Sequence, residues 1–132
     1  MSFNELEEGE TLSLEFEKRG GLIPAIAQDA RNGQVLMLGY ANREAVEETV
    51  RSRMATFYST SRNALWKKGE TSGDYLKTME IYVDCDQDAI IYLVEPQGGG
   101  ACHTKSQRTG QARHSCFYRR LNMDTGRLEI IE

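Results

Sequence analysis

Three short stretches carry the residues able to do chemistry. Residues 84–88 read DCDQD, residues 98–104 read GGGACHT and residues 115–120 read SCFYRR. If the apolar strand before the first stretch continued through it, Met79, Ile81, Val83 and Cys85 would share one face, and Asp84, Asp86 and Asp88 the other. Carboxylates about 7 Å apart along one strand face, at ~3.3 Å rise per residue, repel unless a positive charge sits between them. A hard divalent cation such as Mg²⁺ or Ca²⁺ fills that need with oxygen ligands, while the thiol suits zinc. A solvated acidic turn is the plainer alternative. An EF-hand reading uses Glu95, eleven residues after Asp84, but Ala89 stands where the turn glycine is required and AIIYLV reads as a strand.

Zinc draws little support from local spacing. Sixteen residues separate Cys85 from Cys102 and thirteen separate Cys102 from Cys116, so only the fold or a second chain could gather them. With no Cys-x-x-Cys pair and an odd count, a disulfide framework is not expected, and three buried structural thiols remain the alternative. Three thiolates would leave a fourth zinc position open for water, as catalytic sites do. Such an anionic centre acidifies water weakly and would benefit from a general base. His103, next to Cys102, is the candidate base, with His114 the alternative.

Residues 61–75, SRNALWKKGETSGDY, read as a loop offering Ser61, Arg62, Lys67, Lys68, Gly69, Thr71, Ser72 and Gly73. These are the parts of a phosphate cradle, or of an exposed polar loop; no G-x-x-x-x-G-K-[ST] pattern is present. Trp66 could stack on a base or anchor the loop to the core.

The elements that must position these groups follow from periodicity. GLIPAIAQD and GQVLMLGY are strands flanking an Asn32-Gly33 hairpin turn. A helix over ANREAVEETVRSRM starts at Asn42 and sets Val46, Val50 and Met54 on one face. ATFYST, LKTMEIYV, AIIYLVEP, SCFYRRL and GRLEIIE supply further strands, and QGGGACHTKSQRTGQARH is a long glycine-rich loop. The expected fold is α+β, mostly β: a single compact domain over 1–132 with one main helix and an acidic N-terminal extension over 1–20.

With 16 basic against 20 acidic residues, the net charge of −4 argues against nucleic-acid binding. No stretch has the ~20 apolar residues of a membrane span, and the acidic N-terminus is unlike a secretory signal, so a cytoplasmic protein is expected.

Five blocks in order, VLMLGYAN, SRNALWKKGETSG, VDCDQDA, ACHT and SCFYRR, resemble the phosphoribosyl-AMP cyclohydrolase family over about residues 22–119. The resemblance implies hydrolytic opening of the adenine ring between N1 and C6 of 1-(5-phosphoribosyl)-AMP, the third step of histidine biosynthesis. It implies Asp84, Asp86 and Asp88 as Mg²⁺ ligands, Cys85, Cys102 and Cys116 as zinc ligands, and His103 as the catalytic histidine. It also implies an intimate homodimer whose zinc sites draw on both chains. KSQRTGQARH is longer than the family's usual link, making 104–114 an inserted loop that contains His114. The chain ends soon after its closing strands, so a monofunctional enzyme is expected. A zinc purine deaminase is the enzymatic rival, although its H-x-E…P-C-x-x-C signature is absent. A non-catalytic domain using zinc to staple a dimer is the rival of another class.

Overall fold

Strand β1 (Ile23–Asp29) buries Ile23, Ala25, Ala27 and Asp29 and half-buries the residues between them, the period-two pattern of a strand with one core face. The computed structural model describes residues 4–131; both ends of the expected 1–132 domain, and residues 1–3 of the expected extension, lie outside them. A one-turn helix α1 (Glu5–Glu8) and a 3-10 turn (Phe16–Arg19) precede β1. Gly33, at φ 77°, turns the chain back into β2 (Val35–Ala41), antiparallel to β1 as the Asn-Gly signal predicts. Helix α2 (Arg43–Ser52) begins where Asn42 accepts a 2.9 Å hydrogen bond from the Ala45 N–H.

The remaining strands are β3 (Thr56–Ser59), β4 (Ala64–Lys67), β5 (Leu76–Val83), β6 (Ile90–Pro96), β7 (Arg119–Leu121) and β8 (Leu128–Ile130). β1, β2, β5 and β6 form the main sheet in the order β2-β1-β6-β5, with β1 and β6 parallel and the outer pairs antiparallel. Two hairpins, β3-β4 and β7-β8, stand beside it. The order leaves β2 at one edge and β5 at the other.

The core lies between one face of this sheet, α2 and the β3-β4 hairpin. Phe57 and Tyr92, both fully buried, meet edge-to-face at 5.5 Å. The Tyr92 hydroxyl lies 3.2 Å from the Thr49 hydroxyl and donates to the Thr56 carbonyl at 3.0 Å, tying helix and hairpin to the sheet. Burial alone pushes that phenol up to about 12.

Among the described residues the opposite sheet face has no such cover. Its central row runs Leu38, Ile26, Ile91, Tyr82 across all four strands, and Leu38 and Tyr82 are each 48 % exposed. The β7-β8 hairpin is apolar and exposed as well, at Leu121, Leu128 and Ile130.

Three sequence expectations change. Residues 61–75 are not all loop, because Ala64–Lys67 pairs with Thr56–Ser59; mixed polarity there reflects a half-exposed hairpin. The buried face of α2 is Ala45, Val46 and Thr49, while Val50 is exposed and Met54 lies past the helix end, where Arg53 takes a left-handed conformation. In SCFYRRL only Arg119–Leu121 is strand. The mostly-β fold with one main helix stands as expected.

Candidate functional site

The three aspartates are gathered by a turn rather than by a strand face. Strand β5 ends at Val83, and the Asp84 Oδ1 accepts hydrogen bonds from the N–H groups of Asp88 (2.9 Å) and Ala89 (3.0 Å). Gln87 closes the turn in a left-handed conformation, φ 59°. The ligand oxygens of Asp84, Asp86 and Asp88 all lie within 4.8 Å of one another, tighter than the extended-strand reading allows. Burial and the neighbouring Asp88 carboxyl hold Asp84 above the usual carboxylate range. A Lys18 hydrogen bond holds Asp88 down to about 2. The Lys18 ammonium sits 2.9 Å from Asp88 and 3.2 Å from Asp86, so the carboxylates already accept a cation between them. An oxygen-only donor set of this size fits Mg²⁺.

Cys102 and Cys116 are brought together by backbone ladders. The Cys102 N–H donates to the Arg113 carbonyl and the Ala101 N–H to the His114 carbonyl, both at 3.1 Å. The Arg113 N–H answers to the Thr104 carbonyl at 3.0 Å, and Lys105 bridges Ala112. The 104–114 segment is therefore a paired ribbon whose base holds Cys102. The next residues dock on the outer edge of β2: the Ser115 hydroxyl donates to the Val35 carbonyl at 2.8 Å and the Cys116 N–H to the Leu36 carbonyl at 2.7 Å.

The two thiols interact and share a cavity of about 360 Å³ with His103, Thr104, Phe117 and Arg119. Burial pushes the Cys102 thiol up, but hydrogen bonds with the Thr104 hydroxyl (3.0 Å), the Thr104 backbone and Cys116, together with the Arg113 charge, bring it below the ordinary thiol range. Burial first, then the adjacent Cys102, push Cys116 up to about 11, against the pull of Lys68. Two thiols side by side are soft-metal ligands, which bind as thiolates with release of their protons.

Cys85 is elsewhere. It lies exposed in the turn after β5, while Cys116 hangs from β2, the opposite edge of the sheet. Three inter-strand gaps separate those edges, about 14 Å at ~4.8 Å each. Among the described residues, the aspartate turn is the one group of three or more His, Cys, Asp or Glu residues whose ligand atoms converge. A single chain thus supplies two of the three thiols at one place and the third at another.

The residues of the expected phosphate cradle also separate. Ser61 and Arg62 are exposed on the β3-β4 turn, and Thr71 and Ser72 are exposed beyond it. Lys67 pairs with Glu48 at 3.1 Å. Lys68 is buried, lies over the Trp66 ring at 5.7 Å and acts on the Cys116 thiol. Trp66 packs against Phe57 at 5.7 Å, the anchoring alternative. Gly69 is buried against Asp74 at φ 94°, where a side chain would strike the backbone. Sequence reasoning passed over Lys18, Thr104, Arg113 and Asp29. Asp29 is fully buried, with Arg31 at 3.1 Å and the His114 ring at 2.9 Å, so His114 is turned to a carboxylate and away from the thiols. Lys18, Arg113 and the Asp29–His114 pair are marked only by contacts between segments apart in sequence, while Thr104 and the Asp29–Arg31 pair act over two residues.

Gly100 shows how closely the ribbon is fitted. A Cβ there would lie 2.4 Å from the Arg113 carbonyl oxygen. Gly100→Ala is expected to push the 112–114 segment off Cys102 and destabilise the fold by about 1–3 kcal/mol, the usual cost of overpacking. Thermal unfolding measures the loss; an unchanged midpoint would mean that the ribbon yields freely.

An α+β domain with paired thiols beside an imidazole, and a carboxylate turn apart from them, carries two separate sets of groups able to ligate metals. A family profile for phosphoribosyl-AMP cyclohydrolase matches residues 37–118. A phosphoribosyl-AMP cyclohydrolase of Archaeoglobus fulgidus is 50% identical over 113 residues, 86% of this chain and 96% of that protein. One from Rhodopseudomonas palustris (strain TIE-1) is 48% identical over 119 residues, 90% of this chain and 74% of that protein. The chain also matches a histidine biosynthesis bifunctional protein of Thermus thermophilus at 53% over 109 residues, 83% of this chain but 47% of that protein, so it spans about half of that relative. This chain belongs to the phosphoribosyl-AMP cyclohydrolase family. Among the described residues no helix is long and apolar enough to cross a membrane.

Proposed function

We propose that the chain hydrolyses the N1–C6 bond of the adenine ring in 1-(5-phosphoribosyl)-AMP, giving the formimino-aminoimidazole-carboxamide ribotide, as a homodimer with zinc and Mg²⁺. The supporting observation is the cavity in which His103 stands beside the paired Cys102 and Cys116 thiols. Zinc, held by these two thiols and a Cys85 from the other copy, would supply a polarised water at the open position. An imidazole changes charge near neutral pH, so His103 can take the proton of the attacking water as oxygen adds to C6. The imidazole then returns that proton to N1 as the C6–N1 bond breaks, while the C6 hydroxyl proton passes to the exocyclic imine nitrogen to leave a carboxamide, which balances the hydrolysis without ammonia.

Around this step the chain's own residues orient and shield. The Thr104 hydroxyl, held by Arg113 at 3.1 Å, fixes the Cys102 sulfur. Phe117 and Tyr118 line the same cavity and offer surfaces on which a purine ring can lie. Asp84, Asp86 and Asp88 would hold Mg²⁺, adding positive charge for substrate phosphates to a protein of net charge −4. The exposed Arg62 is a further candidate phosphate contact, with Ser61, Thr71 and Ser72 nearby in sequence.

Two observations favour a homodimer: the separation of Cys85 from the other thiols, and the apolar row Leu38, Ile26, Ile91, Tyr82 on an uncovered sheet face. An exposed contiguous apolar face of this kind marks an interaction surface.

Ultraviolet-monitored turnover of phosphoribosyl-AMP, before and after zinc is stripped by a chelator, tests the reading. Ring opening that releases no ammonia, stops on chelation and returns with zinc is the expected result. Ammonia release would point to deamination, and no turnover with zinc bound would point to a structural staple.

A further inference from the structure

The N-terminal segment is docked on the aspartate turn through one buried glutamine. Gln87 is 6 % exposed, and every polar atom of its side chain is used. Its Oε1 accepts the Ser13 N–H at 2.7 Å, and its Nε2 donates to the carbonyls of Leu6 (3.0 Å) and Thr11 (3.2 Å). Its backbone carbonyl accepts the Glu15 N–H at 2.7 Å. Phe16, the next residue, is buried in the core and carries the Arg43 guanidinium 5.0 Å above its ring. These anchors fix the start of the 3-10 turn, and its last two residues, Lys18 and Arg19, come to rest on the carboxylates.

Their placement is specific. Lys18 Nζ bridges Asp86 and Asp88, and Arg19 Nη1 reaches the Asp88 carboxylate and its carbonyl, each at 3.4 Å. Asp84 takes no part, since its Oδ1 is engaged by the turn's own amides. The ammonium therefore lies on two of the three side chains proposed to hold the divalent ion.

We propose that Lys18 is a built-in competitor of the divalent cation at this turn: the ammonium neutralises Asp86 and Asp88 in the metal-free protein, and the incoming ion displaces it. This rests on the assignment of a divalent ion to Asp84, Asp86 and Asp88. An ammonium and a divalent ion cannot share the same oxygens at contact distance, so binding one excludes the other. Lys18 is 48 % exposed at its side chain, so its head can swing into water while Gln87 keeps the segment docked. The device lets the turn fold without metal, and it sets the ion's affinity below what three bare carboxylates would give.

Mn²⁺ binding to the full-length protein, followed by electron paramagnetic resonance titration, is the test. It is run on wild type, Lys18→Met, Lys18→Gln and Asp86→Asn. Removing the charge while keeping the stem should tighten Mn²⁺ binding by about five-fold, the scale of one partly exposed ion pair. Thermal unfolding should move in opposite directions with and without metal. Metal-free Lys18→Met should melt below wild type, and its Mn²⁺-induced rise should be larger. Lys18→Gln, with a polar head of similar reach, carries the same prediction should the Met variant fold poorly. Wild-type binding that is lost in Asp86→Asn but unchanged or weaker in both Lys18 variants would overturn the competition and leave the metal site standing. No Mn²⁺ bound by wild type or by either Lys18 variant would overturn both.

Discussion

Cys102→Ala should leave a folded protein that binds almost no zinc and opens the adenine ring at least about a thousand-fold more slowly, since the proposed zinc site would lose both a ligand and its activated water. The side chain is 5 % exposed and its sulfur meets Thr104 and Cys116. Losing so small a buried group costs on the order of 1 kcal/mol of stability. Stability and turnover should therefore part company. Zinc content by mass spectrometry, melting temperature and initial rate, taken on one preparation, separate the two. A zinc-free variant with a near-normal rate would remove zinc from the chemistry, and a variant that fails to fold would make the thiol structural.

The second large effect concerns two inactive proteins that should restore each other. Cys85→Ala and Cys102→Ala should each be inactive alone. Co-expressed and purified as a mixed dimer, one subunit contributes an intact Cys85 and the other an intact Cys102 and Cys116 to one of the two sites. That site is whole, while the second lacks both. With random pairing, about a quarter of wild-type activity should return, because half the dimers are mixed and each carries one whole site of two. Cys102→Ala paired with Cys116→Ala should restore nothing, as both changes fall on the same side of every site. No recovery in the first mixture would place the three thiols in one chain after all, and recovery in the second would place Cys102 and Cys116 of each site on different chains. The experiment turns the separation of the β2 and β5 edges into a rate.

Much of this was readable before the fold. Alternating burial in β1, the Asn32-Gly33 turn and the Asn42 cap are local signals, and the backbone obeys them. The aspartates of the proposed metal turn were legible as residues but not as geometry. Period two continued through DCDQD, whereas Asp84 drew the chain into a turn by capturing two amides. Strand β4 was missed because a half-exposed hairpin carries too few apolar residues to show its period. Lys18, Thr104 and Arg113 act across 68, 2 and 9 residues of sequence, and only the contact at two residues is local. The 104–114 segment looked like free loop because its pairing is between backbone groups, which any side chain permits.

The uncovered face of the sheet carries a thermodynamic consequence. In the proposed homodimer, pairing would bury the apolar row that the fold leaves exposed, so the folded state would be drawn up by mass action and dilution would work as a denaturant does. Melting temperature then becomes a function of how much protein is in the tube. In a cell the enzyme would be least stable when newly made and scarce, and each further copy would help hold the earlier ones in shape.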